Sequence, residues 1–131
     1  MKAKKLKVLI VDDAVLVVKR LSVIINELDC INEVKTTGRY DEAISLLVSF
    51  APDIILLDIQ LPEKSGIELL EYVKTNFTEM KVVMLTNQAS SEYKHLCERL
   101  GSDHFVDKSS EFENIPLIIK SYKTGIIQQP S

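Results

Sequence analysis

Short aliphatic runs alternate with segments of helical periodicity along most of this chain. The most apolar runs are Leu6–Val11, residues 54–57 and Lys81–Thr86, and two more polar runs lie at residues 33–36, within Ile31–Thr37, and at residues 104–106. Apolar runs of this length, bounded by turn residues, are typical of strands buried on both faces of a sheet. The pattern predicts five strands, and the polar second strand is expected at an edge of the sheet.

Each predicted strand is followed by a segment in which apolar residues recur every three or four positions, as on one face of a helix. The predicted helices are residues 14–28, 40–50, 66–76, 90–100 and 110–122. The last helix is predicted to open with a capping box formed by Ser110 and Glu113, and Pro116 either bends or delays its start. Five strands alternating with five helices predict a parallel α/β sheet covered on both faces.

The composition is that of one ordinary globular domain. Of the 131 residues, 46% are hydrophobic and 27% are charged, and a chain of this length has room for one domain but none for a second, output domain. We expect a domain over residues 1–125 and a disordered tail over residues 126–131, which offer little that would order them.

Charge and motif content exclude several classes of function. The net charge is −3 and the pI is about 5.4, so no direct nucleic-acid or membrane partner is expected. No apolar stretch is long enough for a signal peptide or a membrane span, which predicts a soluble, cytoplasmic protein. Cys30 and Cys97 lie far apart and are expected as buried or half-buried free thiols. His95 and His104 lack the spacing of metal ligands.

Polar residues follow four of the five predicted strands. Asp12 and Asp13 follow the first strand, Asp58 closes the third, Thr86 ends the fourth, and Lys108 comes after the fifth. The carboxyl ends of parallel strands meet at one edge of a sheet, so these side chains should converge. Three clustered carboxylates favour a hard divalent cation such as Mg²⁺. A carboxylate beside Mg²⁺ and a lysine can attack a phosphoryl group, because both cations offset charge on the transferring oxygens.

A simpler interpretation exists for each residue alone. Asp58 can start a turn, Asp13 can cap the following helix, and Lys108 can be a solvated surface lysine. However, two consecutive aspartates at the end of a buried strand crowd like charges, which is costly unless a cation neutralises them. The convergence of polar residues from several strands therefore favours the functional interpretation.

Four segments, L-I-V-D-D-A, L-L-D-I-Q-L-P, V-V-M-L-T and H-F-V-D-K-S, occur in this order along the chain. Together they resemble the receiver domain of two-component response regulators, and the resemblance covers residues 6–122. It implies a flavodoxin-like (βα)5 three-layer sandwich with strand order 2-1-3-4-5.

The resemblance also implies roles for individual residues. Asp58 would accept a phosphoryl group from a histidine kinase or a histidine phosphotransfer protein, without turnover of a separate substrate, so the chain would not be an enzyme. Asp12, Asp13, Asp58 and the backbone carbonyl of Gln60 would hold Mg²⁺.

Further roles concern the response to phosphorylation. Lys108 would pair with a phosphoryl oxygen, and Thr86 would move to hydrogen-bond another. Phe105 would turn inward on activation, although a plain core role is an equal alternative. A downstream protein is expected on the face formed by the fourth helix, the fifth strand and the fifth helix. That face would include Tyr93, His95, His104 and Tyr122.

The chain departs from the common pattern of this family at three positions. Ser109 follows Lys108 where many receivers have a cis-proline, and a cis bond to a non-proline residue costs about 2.5–4 kcal/mol, so a trans bond is expected. Gln60 stands two residues after Asp58, at a position that in this family tunes hydrolysis of the aspartyl phosphate. Asn87 stands where a small residue is usual, which narrows access to the phosphoryl group.

Three functions fit these observations. The first is a stand-alone receiver whose output is protein contact, and the second is the receiver portion of a longer DNA-binding regulator. The third is a Mg²⁺-dependent hydrolase that forms an aspartyl phosphate. The third is disfavoured because Gln60 replaces the general-acid aspartate that dehalogenase-like phosphatases carry at this position, and because the chain has no cap insertion.

Overall fold

The computed structural model describes residues 5–87 and 90–127, apart from the side chains of residues 123–127. The strands are β1 Leu6–Val11, β2 Ile31–Thr37, β3 Ile54–Asp58, β4 Lys81–Thr86 and β5 His104–Asp107. The helices are α1 Val15–Asn26, α2 Tyr40–Ser49, α3 Gly66–Asn76, α4 Ser91–Arg99 and α5 Ile115–Ile127, and a short 3-10 turn spans Phe112–Asn114. Strands and helices alternate along the chain, as the hydrophobic pattern predicts.

The five strands form one sheet in the order β2-β1-β3-β4-β5. Every neighbouring pair is parallel, so the predicted flavodoxin-like topology is confirmed. β3 lies at the centre and all its residues are buried, including Asp58. β2, the polar strand, lies at an edge, and only Thr37 among its residues is buried. The carboxyl ends of all five strands therefore lie along one edge of the sheet.

Helices cover both faces of the sheet, because successive strand side chains point to opposite faces. One apolar cluster combines Val8, Ile10 and Leu56 with residues of α1 and α5. The other combines Leu9 and Leu57 with residues of α2, α3 and α4. The result is the expected three-layer sandwich. Within the described residues, no helix is both long and apolar enough to cross a membrane.

The final helix begins later than the sequence predicts. The predicted capping box of Ser110 and Glu113 does not form: Phe112–Asn114 is a 3-10 turn without a side-chain cap, and α5 begins at Ile115. Pro116 explains this start, because its fixed φ and missing N–H suit the first turn of a helix. Of the two effects expected of Pro116, a bent or a delayed start of the helix, the delayed start is the one observed.

The C-terminal end of α5 also differs from the expectation. The helix continues through Ile127, which includes the first two residues of the predicted tail, and residues 128–131 lie outside the described part. Cys30 and Cys97 are both buried and free, as predicted. The Lys108–Ser109 bond is trans, since no cis peptide occurs among the described residues.

Candidate functional site

Three carboxylates converge at the carboxyl edge of the sheet. One oxygen from each of Asp12, Asp13 and Asp58 lies within 4.8 Å of the others. Asp12 and Asp58 are 2% and 6% exposed, whereas Asp13 is exposed to solvent. The cluster thus has a buried wall and an open side. An open groove of about 530 Å³ runs beside it, between α1 and the loop that follows β2.

Lys108 reaches this cluster from the segment after β5. Its Nζ lies 2.8 Å from Asp12 Oδ2 and 3.5 Å from Asp58 Oδ1, and the lysine side chain is 4% exposed. The surface-lysine interpretation is therefore wrong. The shorter contact is to Asp12, so the ammonium sits between two carboxylates and is drawn more closely to the one on β1.

Burial raises the pKa of Asp58, and the negative charge of Asp12 raises it further. Lys108 and the backbone N–H of Gln60 act in the opposite direction but do not cancel these effects. A raised carboxyl pKa means that the ionised form is costly in this pocket. An additional cation beside Asp58 would lower that cost.

The donor set fits a magnesium ion. It consists of carboxylate oxygens only, which are the ligands that Mg²⁺ prefers. Two of these carboxylates are oriented by backbone amides: Ala14 N–H donates to Asp12 Oδ1 at 2.8 Å, and Gln60 N–H donates to Asp58 Oδ1 at 3.2 Å. Asp13 is not the N-cap of α1, which begins at Val15. The N-cap position is occupied by Ala14, which makes no side-chain cap.

Thr86 and Phe105 lie on the strands next to this cluster. Leu85 pairs with Asp58 in the sheet, so Thr86 lies one residue beyond the phosphoacceptor candidate on the neighbouring strand, where it is 2% exposed. Phe105 is half-buried and packs against the apolar cluster that contains Leu9 and Leu57. This environment suits either a core residue or a ring that moves.

The loop between β3 and α3 is held against Asp58 by close packing. A Cβ on Gly66 would lie 1.9 Å from the Asp58 carbonyl oxygen, so only glycine fits here. Ser65 and Glu68 form a reciprocal capping box at the start of α3. The spacing S-x-x-E was visible in the sequence and is the signal that would have identified this cap.

The predicted partner face is largely exposed. On α4, Tyr93 is 37% exposed and His95 is exposed beside Glu98. His104 Nδ1 lies 2.6 Å from the hydroxyl of Tyr122, which joins β5 to α5. Because His104 begins β5, this pair lies toward the edge of the sheet opposite Asp58. Burial raises the pKa of Tyr122, so its phenol stays protonated.

Comparisons with known proteins agree with this arrangement. The model of the response regulator receiver domain family matches residues 8–120. The chain is 31% identical over 126 residues to a Pseudomonas aeruginosa protein described as a transcriptional regulator, covering 95% of this chain and 60% of that protein. It is 27% identical over 128 residues to a protein-glutamate methylesterase/protein-glutamine glutaminase of Clostridium acetobutylicum, covering 96% of this chain and 36% of that protein.

Solved structures show the same fold. The receiver domain protein (CheY-like) of Methanospirillum hungatei superposes with a TM-score of 0.83 at 24% identity, covering 97% of this chain and 100% of the other. The response regulator domain of Thermotoga maritima CheB gives 0.81 at 21% identity, again covering 97% and 100%. The chain thus spans a whole receiver domain but only part of its longer relatives. This chain belongs to the response regulator receiver domain family of two-component systems.

Proposed function

We propose that this chain is a phosphorylatable receiver in which Asp58 takes a phosphoryl group from a phosphohistidine donor in a Mg²⁺-dependent reaction. The observation that carries the proposal is the convergence of Asp12, Asp13 and Asp58 with the buried ammonium of Lys108. Four ionisable groups from three strand ends are otherwise costly to bring together. The donor would be a histidine kinase or a histidine phosphotransfer protein.

In the proposed step, an Asp58 carboxylate oxygen forms a bond to phosphorus as the phosphorus–nitrogen bond of the donor breaks. The imidazole nitrogen of the donor keeps the electron pair and takes a proton from solvent. Asp58 must be ionised for this attack, and its raised pKa makes it a stronger nucleophile once ionised. Lys108 pairs with an oxygen of the transferred group.

Asp12, Asp13 and Asp58, with the backbone carbonyl of Gln60, would hold the Mg²⁺ ion. When bound, the ion would neutralise charge on the transferring oxygens. Asp12 and Lys108 begin the reaction paired at 2.8 Å, so Lys108 is already positioned beside Asp58.

Phosphorylation would act as a switch. Thr86 would move to hydrogen-bond a phosphoryl oxygen, and Phe105 would turn inward. A phosphoryl group adds roughly −1.5 to −2 charge, and each hydrogen bond to a charged group contributes about 1.5–3 kcal/mol. Two such bonds, from Thr86 and Lys108, approach the roughly 5.5 kcal/mol that turns a mostly inactive population into a mostly active one. Removing the hydroxyl in Thr86→Ala should weaken partner binding and leave phosphorylation intact. Unchanged partner affinity would contradict this route.

The output of the switch would be protein contact on the face formed by α4, β5 and α5. Two curated relatives are described as transcriptional regulators, and this chain spans 60% and 56% of them. The receiver of a longer DNA-binding regulator is therefore the second candidate, with the same phosphoryl chemistry. Both candidates include a domain over residues 1–125 and a cytoplasmic location. The receiver fold supports a signalling role rather than the hydrolase alternative.

Intact-mass spectrometry after incubation with Mg²⁺ and acetyl phosphate tests the proposal. Wild-type protein should gain one phosphoryl group, and Asp58→Asn should gain none. Asp29→Asn, which removes an exposed carboxylate before β2, should behave like the wild type. Chelation of Mg²⁺ should abolish the gain. Phosphorylation of Asp58→Asn at the wild-type rate would refute the assignment of the acceptor.

A further inference from the structure

The loop between β2 and α2 packs directly against the acidic pair. A Cβ on Gly38 would lie 3.1 Å from Asp13 Cα, 3.2 Å from Asp13 Cβ and 3.5 Å from the Asp12 carbonyl oxygen. The first two distances are shorter than ordinary van der Waals contact. Gly38 is therefore a spacer that lets the loop touch the backbone of Asp13 without displacing it.

The loop is tethered on both sides of this contact. Asp12 N–H donates to the Thr37 carbonyl oxygen at 3.0 Å, which extends the pairing of β1 with β2. The Thr37 hydroxyl donates to the Glu42 carboxylate and accepts from Arg39 N–H. Thr37 is buried, so the loop is not free to withdraw. A side chain at position 38 would press on Asp13 instead.

We infer that Gly38 is a positioning residue that fixes Asp13 and thereby sets the preference of the site for Mg²⁺ over Ca²⁺. This inference rests on the proposed Mg²⁺-binding function and adds the determinant of metal selectivity. Mg²⁺ demands near-ideal octahedral geometry at about 2.0–2.1 Å, whereas Ca²⁺ accepts flexible geometry at about 2.3–2.6 Å. A displacement of Asp13 by a few tenths of an ångström therefore harms Mg²⁺ binding more than Ca²⁺ binding.

The variant Gly38→Ala tests the inference by adding one methyl group. Dissociation constants for Mg²⁺ and for Ca²⁺ are measured separately by NMR titration of the ¹⁵N-labelled full chain, following the Asp58 amide. We expect Mg²⁺ to bind about tenfold more weakly, as for changes that disturb the support of a metal ligand. The Ca²⁺ dissociation constant should change little, so the ratio of the two constants shifts by about tenfold.

Gly101→Ala is the matched control. It adds the same methyl group at a position where φ is +101° and the Cβ would meet Lys74. Left-handed backbone disfavours alanine, so this variant should lower the melting temperature. It lies after α4, away from the acidic cluster, and should leave the metal selectivity unchanged. If the role of Gly38 were purely structural, Gly38→Ala would resemble Gly101→Ala: the melting temperature would fall, and the ratio of the Mg²⁺ and Ca²⁺ dissociation constants would not change.

The possible outcomes separate the inference from the proposed function. A wild-type protein that binds no Mg²⁺ refutes both. A wild-type protein that binds Mg²⁺, with an unchanged metal ratio or an equal loss of both metals in Gly38→Ala, refutes the inference alone. If Gly38→Ala does not fold, Glu42→Ala decides, because it removes the hydrogen bond from the Thr37 hydroxyl, one of the two tethers that hold the loop against Asp13, without adding an atom. The Mg²⁺ preference should then fall, and an unchanged preference overturns the inference.

Discussion

At the scale of single residues, the chemistry of the site depends on the burial of Asp58. Asp58 is 6% exposed and lies near Asp12, and both burial and that neighbouring charge raise its pKa. The aspartate was identifiable in the sequence by its place at the end of an apolar run. Its environment was not, since burial and neighbouring charges come from other strands.

The variant Asp58→Asn should therefore make the metal-free protein more stable at pH 7. A carboxyl whose pKa is higher in the folded state binds more protons there, so its contribution to stability falls as the pH rises through the interval between the unfolded and folded values. Asparagine removes this unfavourable ionisation. A gain of about 1 kcal/mol in the free energy of unfolding would raise the melting temperature by about 4 °C.

Thermal unfolding of both proteins in a chelator, from pH 4 to pH 8, measures this effect. The difference in stability between variant and wild type should grow with pH across the titration of Asp58 and stay constant above it. Distant carboxyls such as Asp41 and Asp107, whose pKa values are lowered, are the same in both proteins, so their contributions cancel in the difference. A difference that shrinks with rising pH would contradict the raised pKa.

At the scale of elements, helix α3 is placed by a contact between backbones. Gly66, its first residue, is buried, and any side chain there would collide with the Asp58 carbonyl group. The capping box of Ser65 and Glu68 then fixes the direction of the helix. The β3–α3 loop is thus tied to the strand that carries the candidate phosphoacceptor.

Gly66→Ala should destabilise the fold by about 3 kcal/mol, because the overlap is with backbone and cannot be relieved by a rotamer change. Urea unfolding measures the loss. Ser65→Ala is the comparison on the same turn, and it should cost about 1 kcal/mol because it removes only a cap. If Gly66→Ala lost no more stability than Ser65→Ala, α3 would be able to move away from β3 at little cost.

At the scale of the whole molecule, Lys108 connects the two ends of the chain. Its ion pair with Asp12 joins residues 96 positions apart, and its contact with Asp58 adds the central strand. The three strand ends at the site are held together by this one ammonium and by the sheet. Because all three side chains are buried, loss of the cation would leave two carboxylates without their partner.

Lys108→Met should destabilise the metal-free protein by about 3 kcal/mol, the usual cost of breaking a buried ion pair. Saturating Mg²⁺ should recover part of this loss and should stabilise the variant more than the wild type, since the metal would supply the missing positive charge. Urea unfolding with and without Mg²⁺ measures both effects. Lys81→Met is the control, because Lys81 is 48% exposed and lies 4.0 Å from Asp103. Equal stabilisation of variant and wild type by Mg²⁺ would contradict the idea that the metal replaces the positive charge of Lys108.

The hydrophobic pattern by itself determined the alternation of strands and helices, the polar edge strand β2 and the parallel sheet, because burial on one or both faces dictates the spacing of apolar residues. It also identified Asp12, Asp13, Asp58 and Lys108, since the ends of parallel strands share one edge. Local rules failed at the start of α5, where Pro116 overrode the spacing of Ser110 and Glu113.

Only the tertiary structure decided that Lys108 pairs more closely with Asp12 than with Asp58, that Gly66 leaves no space beside Asp58, and that Gly38 touches Asp13. The contacts of Lys108 and Gly38 join segments far apart in sequence, and the contact of Gly66 depends on how α3 packs on the sheet. No periodicity or motif encodes such distances, because each results from the packing of both partners at once.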